Sequence, residues 1–391
     1  MLGIWPALPI AVWADVRHVE PLLSQFESPD NVIAALLPNN RVCEISLQGV
    51  TNSLLESLAS VTQEQFPALT SLDITSWDET TVIPDTFLGA FTPRLRSFIL
   101  RGVAFPGIRK LLLSANHLVE LILWNIPHSG YISPETMVTC LSSLPNLKSL
   151  DLEFRSPRSL PDRANRRLPP PTRIILPALT SFWFRGVSEY AEDFVSQIDA
   201  PLLAFVDIIF FHQLVFDTPQ LYHFIARTEK FRAHNRAAVM FYEHAAYFKL
   251  EPGSFLLGIS CTESDWQLSS VEQLCRSSLP RIYTLERLDI REAGSPGRHW
   301  QDDMEIVQWL ELLQLFPAVK ELYLDQELAL RVVPAMQELV EQRGIEVLPA
   351  LQNIFIEGLR PLDPIHETIG NFIAARQLSR HAVVVHSRYR V

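Results

Sequence analysis

The chain carries four cysteines in 391 residues, Cys43, Cys140, Cys261 and Cys275, and none stands at a CxxC or Cys/His ligand spacing. Such sparse thiols read as small apolar core residues of a protein in a reducing compartment, cytoplasm or nucleus, with disulfides or a zinc site a minor alternative. Long apolar runs are also missing. The nearest, LLAFVDIIFF at 202–211, carries Asp207 and falls well short of the roughly 20 residues of a membrane span. The apolar start MLGIWPALPIAVWADV has no basic residue before Arg17 and contains two prolines and Asp15, so it reads as a buried strand and not as a secretory leader. Positive charge is in deficit: 33 Lys and Arg face 44 Asp and Glu, a net charge of −11. Phosphate-backbone binding needs clustered cations, so nucleic acid is a poor partner, and polar or basic partners suit a soluble protein of this balance better.

Signatures of catalysis are lacking too. No GxGxxG, P-loop, HExxH or GxSxG string occurs, so phosphate cradles, zincin sites and nucleophile elbows have no backbone context. His223, His234 and His244 stand about ten residues apart, which does not place them on one helical face, and they read as packing or surface histidines. His299, Asp302, Asp303 and Glu305 resemble a carboxylate-rich metal site, but acidic residues opening the helix DDMEIVQWLELLQLF are accounted for by the helix dipole. The expectation is a noncatalytic chain with no cofactor and no metal. An α/β hydrolase or transferase is a minor alternative, since no sequence shows whether a Ser, His and Asp converge.

What the chain does have is one phrase written many times. FPALTSLDIT at Phe66 returns as LPALTSFWFRG at Leu176, FPAVKELYLDQ at Phe316 and LPALQNIFIEG at Leu348. Its apolar skeleton is L-x-x-L-x-L, with ten clear copies starting at Val42, Leu69, Leu95, Leu118, Leu147, Leu179, Leu203, Leu285, Val319 and Leu351, and a weaker one at Trp5. From 42 to 203 the steps are 27, 26, 23, 29, 32 and 24 residues, close to a leucine-rich repeat but uneven. The closing L-x-L has the period of a strand with one buried face. Between copies lie helix signals: Ser133 as N-cap with Pro134 behind it, Thr218-Pro219 opening a helix with Leu221, Phe224 and Ile225 on one face, a capping box at Ser270 and Gln273, and Asp363-Pro364 before a helix around Ile365 to Leu378. A lone strand and helix cannot bury their own apolar faces, so neighbours must stack. The predicted fold is α/β: one right-handed β/α leucine-rich-repeat-like solenoid over residues 1–391, with a curved parallel sheet and outer helices. Separate α/β domains are the competing arrangement.

Two places break the rhythm. Between Leu203 and Leu285 no clean copy occurs, and residues 237–261 suggest two or three strands in an antiparallel insertion at about 232–262, or a pair of irregular rungs. Residues 154–173 hold Arg155, Arg158, Arg163, Arg166, Arg167 and Arg173 among five prolines, which marks a loop: a solvated excursion, or a basic arm toward an acidic partner.

With catalysis set aside, recognition remains. Residues flanking each buried L-x-L point to the opposite, concave sheet face. Arg101, Trp124, Asp151, Glu153, Trp183, Arg185, Tyr323 and Asp325 fall there, and Trp, Tyr and Arg dominate interface energetics. The alternative for the two tryptophans is coverage by a loop such as 154–173.

The uneven copies and the phrases YISPETMV, LPALTSFWFRGVSEYAEDFVSQIDAPLL, QLVFDTPQLYHFIARTE and DWQLSSVEQLC, spread over nearly the whole chain, resemble fungal F-box proteins with leucine-rich-repeat-like C-terminal regions. That resemblance implies a receptor without catalytic residues, whose repeats hold a substrate while an N-terminal F-box binds the adaptor of a cullin–RING ubiquitin ligase. The L-P-x-E-[IL]-type opening of an F-box is not found, and LLSQFESPDNVIAALL at 22–37 does not supply it. The expectation is therefore a substrate-binding region lacking its F-box, from a truncated chain or a repeat-only relative. It would bind a protein on the concave face, would meet the ligase adaptor only with an F-box restored, and would contact neither nucleic acid nor membrane. A free-standing interaction scaffold unrelated to ubiquitin is the alternative.

Overall fold

The computed structural model describes residues 8–15, 29–78, 80–156, 172–213, 215–231, 234–280, 282–293, 302–343, 347–359, 365–378 and 382–388. Contacts gather into two compact units, Met1–Ala204 and Phe205–Val391. The architecture is α/β, with mostly parallel strands alternating with helices.

In the first unit, strands β1 (Ile10–Asp15), β2 (Val42–Gln48), β3 (Ser71–Thr75), β4 (Ser97–Arg101), β5 (Glu120–Ile126), β6 (Ser149–Phe154) and, after the two-residue β7 (Ile174–Ile175), β8 (Ser181–Gly186) pair in parallel and in chain order. The short β7 pairs separately with β9 (Ile198–Asp199). The connections carry helices α1 (Pro29–Leu36), α2 (Asn52–Thr62), α3 (Ile108–Ser114), α4 (Pro134–Leu141) and α5 (Ser188–Gln197).

The repeated phrase is a turn followed by a strand. The N–H of Leu69 donates to the carbonyl of Phe66 at 3.1 Å, and the same three-residue closure recurs at Leu95, Leu118, Leu147, Leu179 and Leu203 in this unit. Proline stands second in five of these six turns, at Pro67, Pro93, Pro145, Pro177 and Pro201, where its fixed φ favours the turn and no N–H is needed. The residue after each leucine hooks the rung before it: Thr70 N–H to Cys43 O, Arg96 to Thr70, Val119 to Arg96, Lys148 to Val119 and Thr180 to Lys148, all at 2.8 or 2.9 Å. The leucine plugs the core while the next N–H sets the register.

That register aligns the apolar positions in rows. Ile45, Leu72, Phe98, Leu121, Leu150 and Phe182 are successive partners, as are Leu47, Ile74, Leu100, Leu123, Leu152 and Phe184, and each is at most 3% exposed. Each such burial stabilises by roughly 1.5–3 kcal/mol. Ser133 caps α4 as its sequence predicts, its Oγ accepting from the Thr136 N–H at 3.3 Å with Pro134 opening the helix. The predicted N-terminal strand exists as β1 but is not buried throughout. Among the described residues it pairs with β2 alone; Val12 is buried and Trp13 stands 73% exposed.

The second unit contains β10 (Phe205–Phe211), β11 (Arg236–Tyr242), β12 (Ala245–Leu250), β13 (Phe255–Ser260), β14 (Arg287–Glu292), β15 (Glu321–Asp325), β16 (Asn353–Glu357) and β17 (Val384–Arg388). Its helices are α6 (Pro219–Arg227), α7 (Ser264–Ser278), α8 (Asp302–Leu313), α9 (Gln326–Arg343) and α10 (Ile365–Leu378). The strand order is β10-β13-β12-β11-β14-β15-β16-β17, antiparallel only at β13/β12 and β12/β11. The break in the repeat is therefore an antiparallel three-strand meander, and the turn motif resumes past it at Leu285, Val319 and Leu351. Thr218-Pro219 opens α6, with Leu221, Phe224 and Ile225 buried as predicted, and the Thr218 hydroxyl bonds Ser277 and Ser278 at the end of α7.

The capping box predicted at Ser270 and Gln273 is not a helix start. The helix α7 begins at Ser264, and Ser270 is buried in its middle. Leu268, Val271, Leu274 and Cys275 continue one apolar face straight through that point, and packing of that face outweighs the local cap signal. Of the Arg/Pro-rich loop at 154–173, residues 157–171 lie outside the described residues, as do His299 and the side chains of Asp302, Asp303 and Glu305. No helix among the described residues is long and apolar enough to cross a membrane.

Candidate functional site

On the face of the first unit opposite the leucine rows, β3, β4, β5, β6 and β8 each present three side chains, most of them half-exposed or exposed and two of them, Thr75 and Asp151, buried. The third position of β3, β4 and β5 reads Thr75, Arg101 and Trp124 across the register, and the middle position of β5, β6 and β8 reads Ile122, Asp151 and Trp183. Parallel pairing in register is what brings these residues together from positions far apart in the chain.

The centre is Asp151. It is 8% exposed, and its strand neighbour β8 places Trp183 beside it, 41% exposed. From β5 on the other side, Trp124 is 38% exposed and its indole hydrogen-bonds Asp151. Burial pushes the Asp151 carboxyl up to about 6; the Trp124 hydrogen bond lowers it, the Glu153 charge raises it and the Arg101 charge lowers it. Among the described residues no cation stands at ion-pair distance from Asp151. Buried carboxylates normally have such a partner.

The arginines on this face are engaged. Nη1 of Arg101 donates to both oxygens of Asp73, at 2.8 and 2.9 Å, and the guanidinium lies 5.0 Å from the Trp124 ring centre. Arg185 meets Glu153, its partner in register, at 3.2 Å. Trp183 donates its indole N–H to Ser181 Oγ at 3.1 Å.

A bulge shapes the tryptophan side. Pairing of β5 with β6 runs to Leu123 and Leu152 and resumes at Ile126 and Phe154, so Trp124 and Asn125 together oppose Glu153. Asn125 has φ of +54°, a region asparagine tolerates better than most residues, and its Oδ1 accepts from Nε of Arg155 at 3.1 Å. Such bulges re-aim side chains, and this one leaves Trp124 and Asn125 both exposed.

Tyr323 and Asp325 belong to the second unit and have other neighbours. Tyr323 is one step of a stacked column: its ring lies 4.4 Å from that of Phe355 at 12°, Phe355 lies 4.7 Å from His386 at 15°, and the Arg287 guanidinium sits 3.8 Å over the tyrosine. Asp325 accepts the backbone N–H groups of Glu292 at 2.6 Å and Leu328 at 2.8 Å, so its carboxylate ties β14 to the start of α9. The sequence reading missed His386, because β17 lacks the L-x-x-L-x-L skeleton; the alternation in VVVHSR was its one signal. The bulge at Asn125 has no clear mark in the sequence.

Elsewhere in the second unit, a cavity of about 20 Å³ lies beside Ile225, Phe231, His234 and Phe248, with room for about one water molecule. His234 is held there between the Glu251 carbonyl at 2.9 Å and Ser254 Oγ at 3.0 Å. Among the described residues no three His, Cys, Asp or Glu side chains gather to hold a metal.

No protein-family model matches this chain, and no curated protein matches it. Among solved structures it is similar to the leucine-rich repeat-containing protein LegL7 from Legionella pneumophila, at 15% identity and a TM-score of 0.34, over 87% of this chain and 98% of that one.

Proposed function

We propose that this chain is a noncatalytic protein-recognition module built of leucine-rich-repeat-like rungs, and that it holds its partner on the open sheet face of the Met1–Ala204 unit. The observation that carries the reading is the pair of half-exposed tryptophans, Trp124 and Trp183, on either side of the buried Asp151. Two large rings with few rotors, each retaining contact with solvent next to a desolvated polar group, have the composition of an interface hot spot. Arg101–Asp73 and Arg185–Glu153 supply a polar rim that is already paired, so binding does not have to order those side chains first.

Trp124→Ala combined with Trp183→Ala should weaken capture of a partner identified by cross-linking to the wild-type chain, with a melting temperature close to wild type. Equal loss of fold and of capture would make the rings core and end the proposal. A narrower reading, a substrate receptor of a cullin–RING ubiquitin ligase, rests only on the resemblance of several phrases of the sequence to fungal F-box proteins. It requires the chain, joined to an F-box, to co-purify with the ligase adaptor. Partner capture without any adaptor would leave a free-standing scaffold.

A further inference from the structure

The group that the Trp124–Asp151–Trp183 site receives has a definite chemistry, and the inference rests on the recognition reading above. A carboxylate that is 92% buried carries a desolvation cost, normally offset by a cation. Asp73 has Arg101, Glu153 has Arg185 and Asp289 has Arg291, whereas Asp151 has an indole N–H and no cation among the described residues. An ionised carboxylate has about four acceptor sites, and one indole N–H uses only one of them.

The walls match one class of cation. Trp183 is the register partner of Asp151 on β8, whereas on β5 that partner is Ile122 and Trp124 stands at the next position on this face, opposite Glu153, so the two tryptophans flank the carboxylate diagonally from strands about 4.8 Å away on either side. A guanidinium is flat, stacks on aromatic faces, presents a fork of N–H groups to a carboxylate and is more weakly hydrated than an ammonium. The chain uses this combination already in Arg101, which lies over Trp124 and bonds Asp73, and it stacks a second guanidinium, that of Arg287, over Tyr323. A net charge of −11 favours the approach of a basic partner.

We propose that the site takes an arginine side chain of a partner protein, its guanidinium packed against the exposed tryptophans Trp124 and Trp183 with its N–H edge on the carboxylate of Asp151. The bound guanidinium supplies the counter-charge that Asp151 lacks among the described residues.

The probes are N-acetyl-arginine methylamide and its citrulline and lysine counterparts, added to the full chain while the indole N–H resonances are followed by NMR. Trp124→Phe and Trp183→Phe variants assign the two signals. The arginine compound should shift both signals saturably at pH 7.5, and the uncharged citrulline compound should need at least several-fold more to do so. Binding should weaken about tenfold at pH 5, where a carboxyl titrating near 6 is mostly protonated. The other charged groups around Asp151 are Glu153 on its own strand, Arg101 and Glu120 from the Trp124 side and Arg185 from the Trp183 side. Asp151→Asn, which keeps an acceptor for Trp124, should abolish the arginine shift and leave the remaining indole signals in place. Equal shifts by citrulline, an unchanged response in Asp151→Asn, or no shift at all would each overturn the inference, and equal response to lysine would overturn the assignment to arginine. Partner capture lost in the tryptophan pair variant but kept in Asp151→Asn would sink this inference and leave the recognition reading standing.

Discussion

Asp325, the last residue of β15, accepts the backbone N–H of Leu328 at 2.8 Å, three residues into the helix that follows. The same carboxylate takes the N–H of Glu292 from the end of β14 at 2.6 Å. One side chain thus caps α9 and fixes how the preceding rung ends. A helix leaves its first N–H groups unpaired, and an N-cap acceptor contributes about 1 kcal/mol. Losing the second bond strands another N–H. Asp325→Ala should therefore cost about 1–3 kcal/mol in urea unfolding, and Asp325→Asn, which keeps an acceptor, clearly less. Neither should alter the response of Trp124 and Trp183 to the arginine probe.

Asp325 also shows where sequence reading stops. Its place beside a repeat strand was legible, because the two-residue period assigns every flanking position to one face. Its role was not, since the same position in other copies, such as Arg101, faces solvent and a neighbouring carboxylate. The strands, the turn leucines and the helices at Pro134 and Pro219 were readable for a physical reason: each is set by local periodicity, by proline or by a cap. The antiparallel meander was legible only as a break, because pairing partners are a tertiary choice. Ser270 misled because a cap motif is a few residues of weak local preference, set against an apolar face running the length of α7. Trp124, Asp151 and Trp183 were each marked as face residues, but their meeting depends on register and on the bulge at Asn125.

The Asp151 carboxyl predicts a trade between stability and binding. Burial raises its pKa to about 6 from 3.8, so the folded state holds its proton more tightly than the unfolded chain does. The stability this lends is fully present below about pH 3.8 and is lost as pH rises through about 6, because the ionised form is penalised by burial. At one pKa unit per roughly 1.4 kcal/mol, the penalty at pH 7.5 is on the order of 2–3 kcal/mol. Asp151→Asn should thus melt at the same temperature as wild type or a few degrees higher at pH 7.5, with the difference vanishing near pH 3.5. A lower melting temperature for the variant at pH 7.5 would mean that the carboxylate is stabilised in the free chain, and the case for an absent cation would weaken with it.

In the meander the ring of Tyr247 on β12 lies against the backbone of Gly258, its register partner on β13. A Cβ at Gly258 would stand 2.3 Å from Cδ1 of that ring, far inside ordinary contact distance, and 3.0 Å from the Ala246 carbonyl oxygen, a contact tight by a few tenths of an ångström. The ring cannot swing away freely, because it also packs edge-on to Tyr242 at 5.4 Å between centres. Glycine weakens a strand by entropy, so its presence in mid-strand calls for a local reason, and close approach of the tyrosine provides it. Gly258→Ala should destabilise by about 1–3 kcal/mol through overpacking. Tyr247→Ala removes the obstacle, so adding Gly258→Ala to it should cost little or gain slightly, since alanine restricts the unfolded chain more than glycine does. The coupling energy from the two single variants and the double variant, read by urea unfolding, should then be at least about 1 kcal/mol. Additive costs would mean that the backbone, and not the ring, excludes a side chain at this position.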